Sequence, residues 1–342
     1  MALGSQQCNV EATPAESKKV SQGMNVKVAL RRYGVLITLI VLFSIFASLE
    51  PQFYRTENIF NIIRQASIMG LLSLGLTGIV SVGEFDISFA AVATFCGVLN
   101  IVLIMNSVNL YLSWILSIAT GIVLAGINGF NVVFMGIPSF IATLGLQAIL
   151  TGLSRFFTGG SVLYAASYPP GFEVMGRAFV FKIIPTPVII FVIFAALGVI
   201  FLEFSRSGRY IYATGGNPEA ATHVGIDVRK IKMMAFLIMG LLCGVAGIIM
   251  ASMFGSGNPQ MGDGFLNPAI IGCFLGAVFL KDGLTNSRGT VVACLLLAVL
   301  ENGFVMTSVP FYMKEIVQGI VLLVAVGMVS VLRGRPVQGV KM

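Results

Sequence analysis

Charged residues along this chain are gathered into short clusters, and the stretches between them are apolar. A charge at the bilayer centre costs roughly 2.5–3.5 kcal/mol on insertion scales, and a helix needs about 17–25 apolar residues to cross. The charge-poor intervals therefore predict spans over 35–49, 65–83, 187–202, 233–253, 264–280, 289–305 and 316–332. Between residues 87 and 154 there is no charge at all. Turn formers at Asn106-Ser107-Val108-Asn109 and Gly136-Ile137-Pro138 divide that run into three further helices, near 88–105, 110–134 and 138–157. The prediction is an all-α, polytopic helical membrane protein with about ten transmembrane helices.

Composition agrees. Of the 342 residues, 57% are hydrophobic and 10% charged, against about 25% charged in a soluble chain. Water is not the main solvent of such a protein. The net charge of +7 does not point to nucleic acid, because the 21 bases are thinly spread. It reads instead as orientation. With both termini cytoplasmic and ten spans, fifteen bases fall inside, five of them (Arg206, Arg209, Arg229, Lys230, Lys232) in the loop after the sixth span. Residues 1–27 are expected to form a flexible cytoplasmic tail, 28–335 the transmembrane domain and 336–342 a second tail. The polar lead is too long for a signal peptide.

Enzymatic chemistry is poorly provided for. Cys8, Cys96, Cys243, Cys273 and Cys294 form no C-x-x-C pair, and His223 is the single histidine, so neither a disulfide framework nor a metal site is expected. No lysine precedes Ser or Thr, which excludes a phosphate-cradling G-x-x-x-x-G-K-[ST] loop.

The cytoplasmic loop 204–232 carries a complete short-helix signal around 217–225. Asn217 suits the N-cap, Pro218 the first helical position and Glu219 the first turn, where the helix dipole favours an anion. Ala220 and Ala221 follow, and Gly225 suits a left-handed stop. Gly215 and Gly216 precede it. Two alanines on a short glycine-flanked helix suit insertion into a cleft of another protein, although a capped connector is the plainer reading.

Glu219-Ala220-Ala221-x-x-x-Gly225 resembles the E-A-A-x-x-x-G loop of ABC-importer permeases. The run Gly208-Arg209-Tyr210-Ile211-Tyr212-Ala213-Thr214-Gly215-Gly216-Asn217-Pro218 is similar to the permease subunits of binding-protein-dependent importers of the ribose, galactose, xylose and arabinose kind. Ile137-Pro138-Ser139-Phe140-Ile141-Ala142-Thr143-Leu144-Gly145 and Gly83-Glu84-Phe85-Asp86-Ile87-Ser88 resemble two further family segments, in the family's order. The chain departs from the pattern at Phe85, at Phe89-Ala90, at Ala277 and at Lys281-Asp282. The resemblance implies a bacterial inner-membrane permease that binds no cofactor itself. ATP and Mg would belong to a separate ATPase subunit, docked on Gly215, Gly216, Asn217, Pro218, Glu219, Ala220, Ala221 and Gly225. A periplasmic or lipid-anchored substrate-binding protein, a second permease copy or homologue and membrane lipid are the other implied partners.

A polar solute needs polar groups along its path. The candidates are Gln65, Glu84, Asp86, Asn128, Ser139, Phe140, Thr143 and Gln147, with the fifth span's Ser139, Phe140 and Thr143 ranked first by the resemblance. Glu84 and Asp86 stand at a span boundary, which fits an interior role or plain interfacial placement. Glu301, near the end of the ninth span, fits a boundary carboxylate or a gate. The alternative function is an ion-coupled secondary transporter, which would need buried carboxylates beside its substrate.

Overall fold

The computed structural model describes residues 26–278 and 283–333. The expected tails and the Lys281-Asp282 departure lie largely outside these residues. Twelve α-helices run in the order α1 (Val26–Leu49), α2 (Thr56–Ser81), α3 (Phe89–Met105), α4 (Leu110–Val133), α5 (Ser139–Thr158), α6 (Thr186–Val199), α7 (Arg206–Gly216), α8 (Pro218–His223), α9 (Val228–Phe254), α10 (Asp263–Val278), α11 (Ser287–Met306) and α12 (Phe311–Arg333). One π turn, Ile200–Phe204, prolongs α6. The all-α expectation holds but for a two-residue hairpin in the α5–α6 connection, where Phe179–Val180 pairs antiparallel with Ile184–Pro185.

Apolar helices occupy each predicted interval. Among the described residues, seven are long and apolar enough to cross a membrane, while Leu36–Leu49, Phe89–Met105 and Asp263–Val278 are apolar but shorter. Several helices run past the charges expected to bound them. α2 begins at Thr56 rather than near 65, because Arg64 places its ion over the Phe179 ring, 4.8 Å from the centroid, and donates to the Arg177 carbonyl at 3.2 Å. Asn58 likewise donates to Asn302 of α11 at 2.9 Å.

α9 and α2 form the centre, with 72% and 67% of their most apolar windows buried; α12 forms the periphery, with 17%. The central contacts are backbone against backbone. A Cβ added to Gly121 would stand 2.5 Å from the Gly240 carbonyl oxygen, and one on Gly97 2.7 Å from that of Gly247. No side chain fits at those distances, so glycine lets α4 and α3 approach α9 closely enough for dispersion to hold the helices where lipid supplies no hydrophobic drive. A buried polar seam ties α2 to α10 and α11. Ser73 donates to the Ala269 carbonyl at 2.8 Å, Thr77 and Thr290 share a bond of 2.9 Å, and Ser81 and Thr285 one of 2.7 Å.

The segment 204–232 is the chief correction to the expected layout. It holds two helices, not a loop with one. Ser205 caps α7 by accepting from the Gly208 N–H at 3.0 Å. The buried positions Gly208, Ile211 and Thr214 recur every third residue along one face of α7. Gly208 and Gly215 serve close packing rather than a turn: a Cβ at Gly215 would strike the Ser81 carbonyl at the end of α2, and one at Gly208 the carbonyl of Phe201 at 2.5 Å.

Candidate functional site

One end of the bundle gathers most of the residues singled out by sequence. α8 is built there as its capping signals predict. Asn217 accepts from the Ala220 N–H at 3.0 Å, and Pro218 opens the helix. Gly225 takes φ +83°, and the Gly225 and Ile226 N–H groups bond back to Thr222 and Ala221 carbonyls at 3.0 Å each. Those two bonds are the Schellman closure. Pro218, Glu219, Ala220, Thr222, His223 and Val224 are exposed, and Ala221 turns inward at 4% exposure. The helix is thus a rigid knob of which only one face is used by its own chain. Gly215 and Gly216, grouped with it by sequence, belong to α7. Gly215 is wedged against α2, while a Cβ at Gly216 would meet nothing within 4 Å.

Behind α8 the chain turns into α9. Asp227 caps that helix by accepting from the Lys230 N–H at 3.1 Å, and this bond holds its carboxyl below the usual carboxylate range. Five residues after the cap, the Lys232 ammonium meets the Glu84 carboxylate at 2.5 Å. Glu84 lies in the non-helical stretch 82–88 between α2 and α3, which Gly83 turns at φ +85° directly over Gly215.

That stretch is held on its other side by α5 and α4. The Phe85 N–H donates to the Ser139 hydroxyl at 3.2 Å and the Ile87 N–H to that of Thr143 at 3.3 Å. Asp86, 1% exposed, accepts from the Ser88 N–H at 2.7 Å and from the Ser88 hydroxyl at 2.6 Å, while the Asn128 amide donates to the Ser88 oxygen at 2.9 Å. Burial raises the Asp86 carboxyl, and the bonds from Ser88 and Asn128 draw it part of the way back. Unpaired backbone polar groups in a buried stretch would be costly. Ser139, Thr143 and Asp86 therefore satisfy backbone N–H groups at a break in the helix ladder, and Asn128 holds the Ser88 side chain.

Five of the eight path candidates, Glu84, Asp86, Asn128, Ser139 and Thr143, thus form one cluster. The other three stand apart. Phe140, 42% exposed, points away from it on α5, Gln147 is half-buried one turn beyond Thr143, and Gln65 is half-buried in the first half of α2. Glu301 lies on α11 and binds α12, accepting from Gln318 at 2.8 Å with Lys314 at 3.5 Å.

Two residues of the site were not singled out by sequence. Lys232 reads in the sequence only as one of several orientation charges, at the edge of the apolar run 233–253. Tyr212 donates to the Thr285 carbonyl at 2.9 Å and joins α7 to the start of α11. Burial, then the nearby Glu203 charge, pushes its hydroxyl up to about 12.

Comparisons with known proteins fit this arrangement. The family model described as the permease component of branched-chain amino acid transport systems matches residues 58–326. The ribose import permease protein RbsC of Escherichia coli K12 is 32% identical over 295 residues, covering 85% of this chain and 91% of that protein. RbsC of Bacillus subtilis is 33% identical over 297 residues, at 87% and 92% coverage. The D-allose transport system permease protein AlsC of Escherichia coli K12 is 30% identical, at 87% and 91%. A solved ABC transporter of metal-chelate type, in an inward-facing conformation, is a distant likeness at TM-score 0.47 and 13% identity, covering 88% of this chain and 98% of its own, and adds nothing to the assignment. The family model and relatives matched over about nine-tenths of their length make this chain a member of the multi-pass family of transport-system permease components.

Proposed function

We propose that the chain is the permease subunit of an ATP-driven ABC importer that moves a sugar or similar small polar solute across the bacterial inner membrane. The ribose and allose permeases among its relatives support the solute class. In this reading ten apolar helices cross the bilayer with both termini cytoplasmic, and ATP and Mg act on a separate ATPase subunit. A substrate-binding protein delivers solute from the other side.

The observation that carries the reading is the exposed α8 knob linked by Lys232–Glu84 to the stretch 82–88. A motor subunit that grips α8 would move the start of α9 and, through the ion pair, the junction of α2, α3 and α5. Coupling of this kind needs only a bias between two packed arrangements. Most buried polar side chains are bonded within the chain, many of them to backbone carbonyls, so we assign the path to the seam between two permease copies. The exposed face of α5, with Phe140, Ile141, Leu144 and Ile149, is a surface for that seam.

Vesicles holding the permease, its ATPase and its binding protein test this directly. ATP-dependent uptake of a pentose or hexose is expected. Uptake that follows a proton or sodium gradient without the ATPase would instead establish the secondary-transporter alternative.

A further inference from the structure

The bundle is not closed between α2, α6, α7 and α9. A groove of about 390 Å³ opens there, lined by Gly78, Phe194, Leu197, Leu242, Ser205 and Ser287 among others. Its position follows from one residue. α2 is buried without interruption from 66 to 82 except at Gly78, where an added Cβ would meet nothing within 4 Å. The floor of the groove is therefore bare helix backbone, in a fold whose other central glycines are filled by a neighbour. Protein interiors are close-packed, so an open slot beside a glycine is space shaped for something outside the chain. Around it Leu197, Ile200 and Phe204 are exposed, and in a membrane these surfaces face hydrocarbon.

The groove also has a polar end. Ser287, the first residue of α11, lines it at 0% exposure, and its hydroxyl has no hydrogen-bond partner. The Ser205 hydroxyl on the same wall is satisfied, donating to the Phe201 carbonyl at 2.5 Å and accepting from Gly208. A buried hydroxyl left unpaired is costly, and Ser287 is placed to donate to a ligand. Next in sequence to these two serines stand Arg206 and Arg288, with Arg209 one turn on, all exposed. The one carboxylate of the π turn, Glu203, accepts from Arg288 at 3.1 Å, which leaves the positive charge at this end in excess.

We infer that the groove binds one acyl chain of an anionic phospholipid, with an ester carbonyl at Ser287 and the phosphate facing Arg206 and Arg209. A chain of methylenes suits an apolar slot of this volume, and arginines near a membrane surface recognise anionic lipid. The inference rests on the chain's membership of a membrane permease family and not on the solute carried. The bound lipid would brace the joint between α6 and α7, from which α8 is suspended.

Native mass spectrometry of the full chain, purified in mild detergent with phosphatidylglycerol and phosphatidylcholine of equal chain length, tests it. Wild type and Gly78→Ala are expected to retain one phosphatidylglycerol at least tenfold over phosphatidylcholine. Gly78→Phe, which fills the slot, should lose the bound lipid. Arg206→Gln/Arg209→Gln should keep a lipid but lose the preference. Equal retention of both lipids by wild type, or unchanged retention by Gly78→Phe, would overturn the site. Should Gly78→Phe not fold, the arginine pair decides alone: a lost preference supports the site, and an unchanged one overturns it.

Discussion

The Lys232 ammonium and the Glu84 carboxylate, 148 residues apart in sequence, meet at 2.5 Å with side chains 21% and 13% exposed. They join the start of α9, just behind the α8 knob, to the break between α2 and α3. A hydrogen bond between charged partners contributes roughly 1.5–3 kcal/mol, and removing one partner strands the other in a poorly hydrated place. Glu84→Gln and Lys232→Met are therefore expected to lower solute uptake about tenfold or more while leaving the ATPase bound. The double exchange Glu84→Lys/Lys232→Glu should recover part of the loss. Full uptake in either single variant would remove the pair from the coupling route.

Glu219 stands exposed in the first turn of α8. Its own chain uses it only through the helix dipole, a term of about 0.3–1 kcal/mol. Glu219→Lys should leave membrane insertion and melting temperature nearly unchanged and still abolish ATP-dependent uptake. Wild-type uptake together with normal ATPase co-purification would sink the docking role of α8.

The sequence made the spans and α8 legible for the same reason: each rests on local chemistry. Charge-free intervals must be helical in lipid, and Asn217, Pro218 and Gly225 specify a cap, a first turn and a stop within nine residues. α7 was hidden because its glycines look like turn formers. Gly215 instead packs on Ser81, far away in sequence, and Gly208 on the π turn just before α7. The start of α2 was misjudged for a related reason. Arg64 reads as a boundary, yet it lies along Phe179 and binds a carbonyl of the α5–α6 connection. Ser139, Thr143 and Asp86 were found as polar residues among apolar ones, but that pattern cannot distinguish a solute path from the repair of a broken helix ladder.

Gly215 and Gly216 are adjacent and chemically identical, and the fold treats them oppositely. A Cβ at Gly215 collides with the Ser81 carbonyl, whereas one at Gly216 enters open space. Gly215→Ala should displace α7 from α2 at a cost of about 1–3 kcal/mol, seen as a lower melting temperature and reduced uptake. Gly216→Ala should be neutral or stabilise by up to about 1 kcal/mol, since alanine is the better helix former. Equal melting temperatures for the two variants would contradict the packing of α7 described above.

Asp86 is the one residue of the break whose acceptor role is carried by two bonds at once, from the Ser88 N–H and the Ser88 hydroxyl. Asparagine keeps an oxygen at that position; leucine does not. Asp86→Leu would leave both Ser88 donors unpaired in a buried site, at about 1–3 kcal/mol for each. It should lower the melting temperature and the yield of folded permease. Asp86→Asn should retain most of both, because no step assigned to the residue needs its charge. Asp86→Asn protein that folds normally yet has lost uptake would instead place the carboxylate on the solute path.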